Sequence, residues 1–139
     1  MAQDTERILE ELGALVRRLS LITGGAEDTL PLTNTQRLAL YELGASGPLR
    51  LVDLARPLGV TAPTASRAVD VLESHGLVER RPDPEDRRAQ RIALTNAGRS
   101  RFDERIARVS EAFEPAAKSL TRDERAQLAE LLARLRAAL

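Results

Sequence analysis

Cysteine and tryptophan are missing from this chain of 139 residues, and histidine and tyrosine occur once each. Without a thiol there can be no disulfide, thiolate metal site or thiol redox sensor. Carboxylates alone rarely hold zinc, so with His75 as the one imidazole no metal or other cofactor is expected. His75 lies near the end of a helical stretch, where a partly charged ring favours the helix dipole, and this suits a structural role. The aromatic rings are Tyr41, Phe102 and Phe113, 2% of the residues when Tyr, Phe and Trp are counted. That is too few for the stacking platforms that single-stranded nucleic acid needs.

Long apolar runs are also lacking. Asp4, Glu6, Arg7, Glu10, Glu11, Arg17 and Arg18 interrupt the amino-terminal segment, which excludes a signal peptide's apolar block. No stretch approaches the ~20 apolar residues that cross a bilayer, so a soluble, cytoplasmic protein is expected. Nor is there an excess of charge: 21 basic and 21 acidic residues cancel. From Thr61 to Arg101 eight Arg face six acids (+2), while residues 1–60 carry six basic and eight acidic groups (−2). Any footprint on DNA must therefore be local. An enzyme is not expected, because no nucleophile–base pair, metal cluster or glycine-rich phosphate loop is present.

What the chain does have is aliphatic periodicity, with 42% hydrophobic residues drawn almost entirely from Leu, Ala, Val and Ile. Ile8, Leu12, Leu15, Val16, Leu19 and Ile22 recur at helical steps, predicting a first amphipathic helix closed by Gly24 and Gly25. Thr33 and Gln36 form a capping box for a second helix, which stops between Gly44 and Pro48, and Leu49 to Leu51 can add a short strand. A short third helix, Val52 to Leu58, ends at Gly59. Thr61 then caps a fourth, with Pro63 tolerated in its first turn, Ala65, Val69 and Leu72 inward, and Gly76 closing it. Strand-like runs at Leu77 to Arg81 and Arg91 to Leu94 flank a Pro-, Asp- and Arg-rich loop and make a hairpin. Thr95 caps a fifth helix with Phe102, Ile106, Val109 and Phe113 as its buried stripe, and Pro115 should kink or stop it. Thr121 and Glu124 box the start of a last helix lined by Leu128, Leu131, Leu132, Leu135 and Leu139.

Two helices joined by a glycine turn and followed by a hairpin make a winged helix-turn-helix, whose second helix enters the major groove. The fold class is mainly α (α+β), with about six helices and a wing sheet of two to three strands. Outside the apolar stripe of the fourth helix lie Pro63, Thr64, Ser66, Arg67 and Asp70. Arg67 can grip guanine or phosphate, and the hydroxyls can bond bases or backbone, whereas Asp70 does not suit DNA. A merely solvated polar face would look the same. In the wing, Arg87 and Arg88 sit at the tip beside Asp86, with Arg80, Arg81 and Arg91 on the strands. Such a tip can reach a minor groove. A solvated loop with compensating charges, Asp83, Glu85 and Asp86, is the competing reading, although Asp86 can also hold Arg88 by a charge-assisted bond.

DRRAQRIALT, Asp86 to Thr95, fits the wing signature of the MarR family, and LARPLGVTAPTASR and LESHGLVER resemble its recognition helix and exit into the wing. The resemblance runs from about residue 5 to the end of the chain. It implies a homodimer in which the first, fifth and sixth helices of both chains interlock. The corresponding division is 1–32, an N-terminal dimerisation helix; 33–98, the DNA-binding lobe; and 99–139, the C-terminal dimerisation helices. It further implies a nucleoid-associated regulator, a repressor, that binds double-stranded DNA at a pseudo-palindromic operator. Thr64, Ser66 and Arg67 would serve the major groove and Arg88 the minor groove. Family members often bind small anionic aromatic effectors in a cleft between the dimer helices and the DNA-binding lobe, and Arg17, Arg18, Arg37 and Tyr41 are candidates to line it, unless they are ordinary surface residues. A constitutive or architectural DNA-binding protein without a ligand, and a protein-interaction module that does not touch DNA, remain the other readings.

Overall fold

A computed structural model describes residues 1–23 and 30–139. The expected helix closure at Gly24 and Gly25, and the side chain of Ile22, lie outside the described residues. Six helices and three strands follow in the order α1 (Ala2–Thr23), α2 (Asn34–Ser46), β1 (Leu49–Arg50), α3 (Leu51–Leu58), α4 (Ala62–Ser74), β2 (Val78–Pro82), β3 (Gln90–Leu94), α5 (Asn96–Ala117) and α6 (Arg122–Ala138). The chain divides into two units, one of Met1–Glu27 with Ile106–Leu139, the other of Asp28–Arg105.

The unit of residues 28–105 holds the core. Leu40 and Leu43 from α2, Leu54 from α3, and Val69 and Leu72 from α4 pack with Leu77, Val78 and Ile92 from the sheet side. The helices α2, α4 and α5 are opened by the threonine caps their sequence announces. Thr33 and Gln36 exchange both capping-box bonds at the start of α2, and the Thr61 hydroxyl accepts from the Thr64 amide at the start of α4. The Thr95 hydroxyl accepts from the Gly98 amide and donates to the Gly76 carbonyl, so one side chain opens α5 and closes the turn after α4. At that turn Gly76 has φ 70°, a left-handed conformation that side chains with a Cβ rarely adopt.

The sheet order is β1-β3-β2, antiparallel throughout, with Val78 opposite Leu94, Pro82 opposite Gln90, and Arg50 opposite Arg91. β2 starts one residue later than the sequence suggests because Leu77 instead closes the α4 turn, its amide donating to the Leu72 carbonyl.

In the other unit the apolar stripes are not fully buried, and of the expected α5 stripe Val109 and Phe113 are half-buried, as is Phe102 in the unit of residues 28–105. Ile106 is 48% exposed, and Leu128, Leu131, Leu132 and Leu135 on α6 are 40–47% exposed. Ile8, Leu12 and Leu15 of α1 face the leucines of α6 across an open groove of about 1070 Å³. The α6 start is well capped, since Thr121 and Glu124 exchange both bonds of a capping box. α5 runs through Pro115 and stops two residues later, at Ala117. No described helix is long and apolar enough to cross a membrane.

Candidate nucleic-acid interface

The first turn of α4 presents its polar residues because its other face is committed to the core. Ala65, Val69 and Leu72 have no exposure and Ala68 is buried, so Pro63 and Arg67 are left exposed, with Thr64 and Ser66 half-buried beside them. The Thr61 hydroxyl donates to that of Thr64 at 3.1 Å, and the Arg67 Nε lies 3.4 Å from the Pro63 carbonyl, which lays the guanidinium back along the first turn. Asp70, the residue of this face that does not suit DNA, has a partner: its Oδ1 accepts from Arg80 Nη2 at 2.8 Å. Arg80 Nη1 donates to Glu73 at 2.9 Å. One guanidinium from β2 thus ties the wing to two carboxylates of α4.

The wing tip is organised by Asp83, a residue whose sequence context also suits a compensating, solvated charge. It is instead buried, with a side chain of 0% exposure. Its Oδ2 accepts from Arg50 Nε at 2.7 Å and Arg91 Nε at 3.1 Å, and its Oδ1 accepts from the amides of Glu85 at 2.8 Å and Asp86 at 3.3 Å. The Arg50 bond first, then the Glu85 amide, hold the carboxyl well below the usual range against the opposing effect of burial, and the same contact raises Arg50. The tip closes through the Asp83 amide to the Ala89 carbonyl and the Ala89 amide to the Asp86 carbonyl, both at 3.0 Å.

Asp86 holds Arg88, but by a different bond from the one expected: its Oδ1 accepts from the Arg88 main-chain amide at 2.9 Å. The side chains of Arg87 and Arg88 lie at the exposed tip. Arg91 is a half-buried strand residue tied to Asp83, and Arg81 is paired with Glu79. Within one unit, therefore, the structure collects Pro63, Thr64, Ser66 and Arg67 on α4 and Asp86, Arg87, Arg88 and Arg91 in the wing.

The four effector candidates divide differently. Arg17 and Arg18 are exposed on α1, whereas Arg37 and Tyr41 are half-buried on α2 in the other unit, so neither unit alone assembles the set. The Tyr41 ring carries the Arg105 guanidinium 5.0 Å from its centroid, within cation–π distance.

Sequence reasoning missed Arg50 and the central role of Asp83. The one local signal was Pro82-Asp83-Pro84, since an aspartate between prolines favours a turn wound on its own side chain. Its partnership with Arg50, 33 residues away, leaves no periodic trace.

Comparison with known proteins gives a concordant picture. The model of the MarR family matches residues 32–89, which span α2 through the wing tip. A probable transcriptional regulator from Pseudomonas aeruginosa is 33% identical, with 92% of this chain and 93% of that one covered and a TM-score of 0.60. The transcriptional regulator Tm0710 from Thermotoga maritima is 27% identical over 98% of this chain and 94% of its own, with a TM-score of 0.66. A MarR family protein from Bacillus stearothermophilus, 22% identical over 99% and 96% of the two chains, shares the fold at a TM-score of 0.77.

Proposed function

The chain belongs to the MarR family of transcriptional regulators, which are not enzymes, and from that premise we propose that it is a repressor that binds a pseudo-palindromic DNA operator as a homodimer and is released by a small anionic aromatic ligand. The observation that carries the DNA reading is the pairing, in one unit, of an exposed polar first turn on α4 with an arginine tip on the wing. A helix turn of this kind fits the major groove, and Arg87 and Arg88 fit the electronegative minor groove beside it. Thr64, Ser66 and Arg67 read or anchor the major groove, Pro63 shapes the helix entry, Arg88 enters the minor groove, and Arg91 supports the wing.

The dimer reading rests on the uncovered leucines of α6 and the apolar residues of α1 that face them. An apolar groove of this size on an isolated chain marks an interaction surface, and a two-fold partner covers it with the same residues. Residues 1–32 and 99–139 then serve as dimerisation segments around a lobe of residues 33–98. In such a dimer the two α4 helices stand about one DNA turn apart, ~34–36 Å. Arg17, Arg18, Arg37 and Tyr41 supply the cationic and ring groups that an aromatic acid requires.

The test is binding to the DNA upstream of its own gene and to scrambled duplex across a salt series. A regulator binds the specific duplex about 10³-fold tighter or more, with affinity falling as salt releases counterions. Equal weak binding to both would replace the repressor by an architectural protein, and no binding at any salt would end the DNA reading. A screen of aromatic acids for release of the bound duplex tests the effector, and a uniformly negative screen would remove the ligand from the proposal.

A further inference from the structure

We propose that Asp83 is the positioning residue of the wing: it sets where the tip residue Arg88 stands, and so delivers that arginine to the minor groove. This role rests on the DNA reading above.

The two oxygens of Asp83 have separate tasks. Oδ1 winds the tip, because the Glu85 and Asp86 amides donate to it. Asp86 then repeats the arrangement one step on, its own Oδ1 accepting from the Arg88 amide. Orientation passes from Asp83 to Asp86 to Arg88 through carboxylates that accept from main-chain amides, which leaves the Arg88 guanidinium itself free of the relay. Short aspartate side chains are suited to this, since they imitate a turn's own carbonyl.

Oδ2 fastens the wound tip to the sheet. Arg50 and Arg91 are direct cross-strand neighbours on β1 and β3, where like charges repel. The shared carboxylate, 2.7 Å and 3.1 Å from their Nε atoms, turns that repulsion into a bridge. Arg50 immediately precedes α3, the helix packed against α4, so the bridge ties the tip to the helix pair. Asparagine in place of Asp83 cannot reproduce this. Its carbonyl can face the tip amides or the arginines, and in either pose its NH₂ points donors at donors.

The experiment is a double-mutant cycle on the tightest-binding duplex selected from a random pool, with Asp83→Asn, Arg88→Ala and Arg67→Ala singly and in pairs, each confirmed folded by thermal melting. Asp83→Asn should weaken binding about tenfold, as Arg88→Ala does, and lower the salt dependence by about one phosphate equivalent. The Asp83→Asn, Arg88→Ala pair should lose no more than about twofold beyond the larger single loss, whereas with Arg67→Ala the losses should multiply. Hydroxyl-radical footprints should lose the outer minor-groove protection and keep the rest. If Asp83→Asn binds as wild type does, or its loss also multiplies with that of Arg88→Ala, the positioning role is overturned while the DNA reading stands. Failure of the wild type to enrich any duplex would end the DNA reading itself. If Asp83→Asn does not fold, Arg50→Gln, which leaves the carboxylate paired with Arg91, runs the same cycle with the same criteria.

Discussion

The Phe102 ring of α5 lies so close over Gly44 of α2 that a Cβ at position 44 would meet its Cδ2 at 2.1 Å. Arg99, one turn earlier, donates to the Gly44 carbonyl at 3.2 Å, so hydrogen and hole together seat α5 on α2. Gly44→Ala should destabilise the protein: overpacking costs about 1–3 kcal/mol, more than the ~1 kcal/mol that alanine gains in a helix. Shortening the ring by Phe102→Leu in the Gly44→Ala background should recover part of the loss. Urea melts of the two singles and the double check this, and a double as unstable as the sum of the singles would contradict it.

Gly98 offers no such remedy. A Cβ there would sit 2.0 Å from the Leu77 carbonyl oxygen, which accepts the Thr95 amide, so the obstacle is main chain. Gly98→Ala should cost about 3 kcal/mol or more, at the upper end of overpacking, and no side-chain truncation should restore it. The same melts read the result.

On DNA, Arg67→Ala and Arg88→Ala should each reduce affinity by roughly tenfold or more, and Arg88→Glu should abolish binding by placing an anion at the minor groove. All three should leave the oligomeric state unchanged, since both residues lie outside the α1 and α6 groove. Gel-shift titration with sedimentation on the same samples separates the two effects. An Arg88→Glu protein that still binds specifically would remove the wing tip from the interface.

Leu131→Asp should convert dimer to monomer. Leu131 is 45% exposed in the single chain, so the folded monomer tolerates a carboxylate there, whereas a two-fold interface would bury it twice. The dimer dissociation constant should rise by about a hundredfold or more, measured by sedimentation equilibrium. An unchanged dimer would place the interface elsewhere.

Acid should act through Asp83. Its carboxyl titrates well below the usual range, chiefly because Arg50 bonds to it. In the unfolded chain it would take up a proton near its ordinary value of about 3.9. Its stabilisation is therefore present above that value and is lost as the pH falls through the lower folded value, where the unfolded chain already carries the proton. Glu124, lowered by the Thr121 amide and then its hydroxyl, adds with the same sign. Melting temperatures below about pH 4 should thus fall more steeply for the wild type than for Asp83→Asn. Parallel acid limbs would show that the carboxylate does not contribute this way.

Much of the architecture was legible because its signals are local. Thr33 with Gln36, Thr61, Thr95, and Thr121 with Glu124 each mark a helix start within one turn, and Gly59 and Gly76 mark ends. Apolar spacing likewise assigned Ala65, Val69 and Leu72 to the core side of α4, which left Pro63, Thr64, Ser66 and Arg67 as the candidate contact face. The α5 stripe is covered only in part, with Phe102, Val109 and Phe113 half-buried and Ile106 exposed: periodicity shows that a face needs cover, not that the same chain supplies it.

By itself, then, the sequence determined the order of helices, the hairpin and the family likeness, because caps, turns and amphipathic stripes depend on residues within a few positions of one another. What each charge does depends on the folded arrangement around it. Asp83 is buried between Arg50 and Arg91, while Arg87 and Arg88 of the same loop stand at the exposed tip. A charge's role follows from the partners and solvent around it, and for Arg50 and Asp83 those come together only when β1 folds against β3.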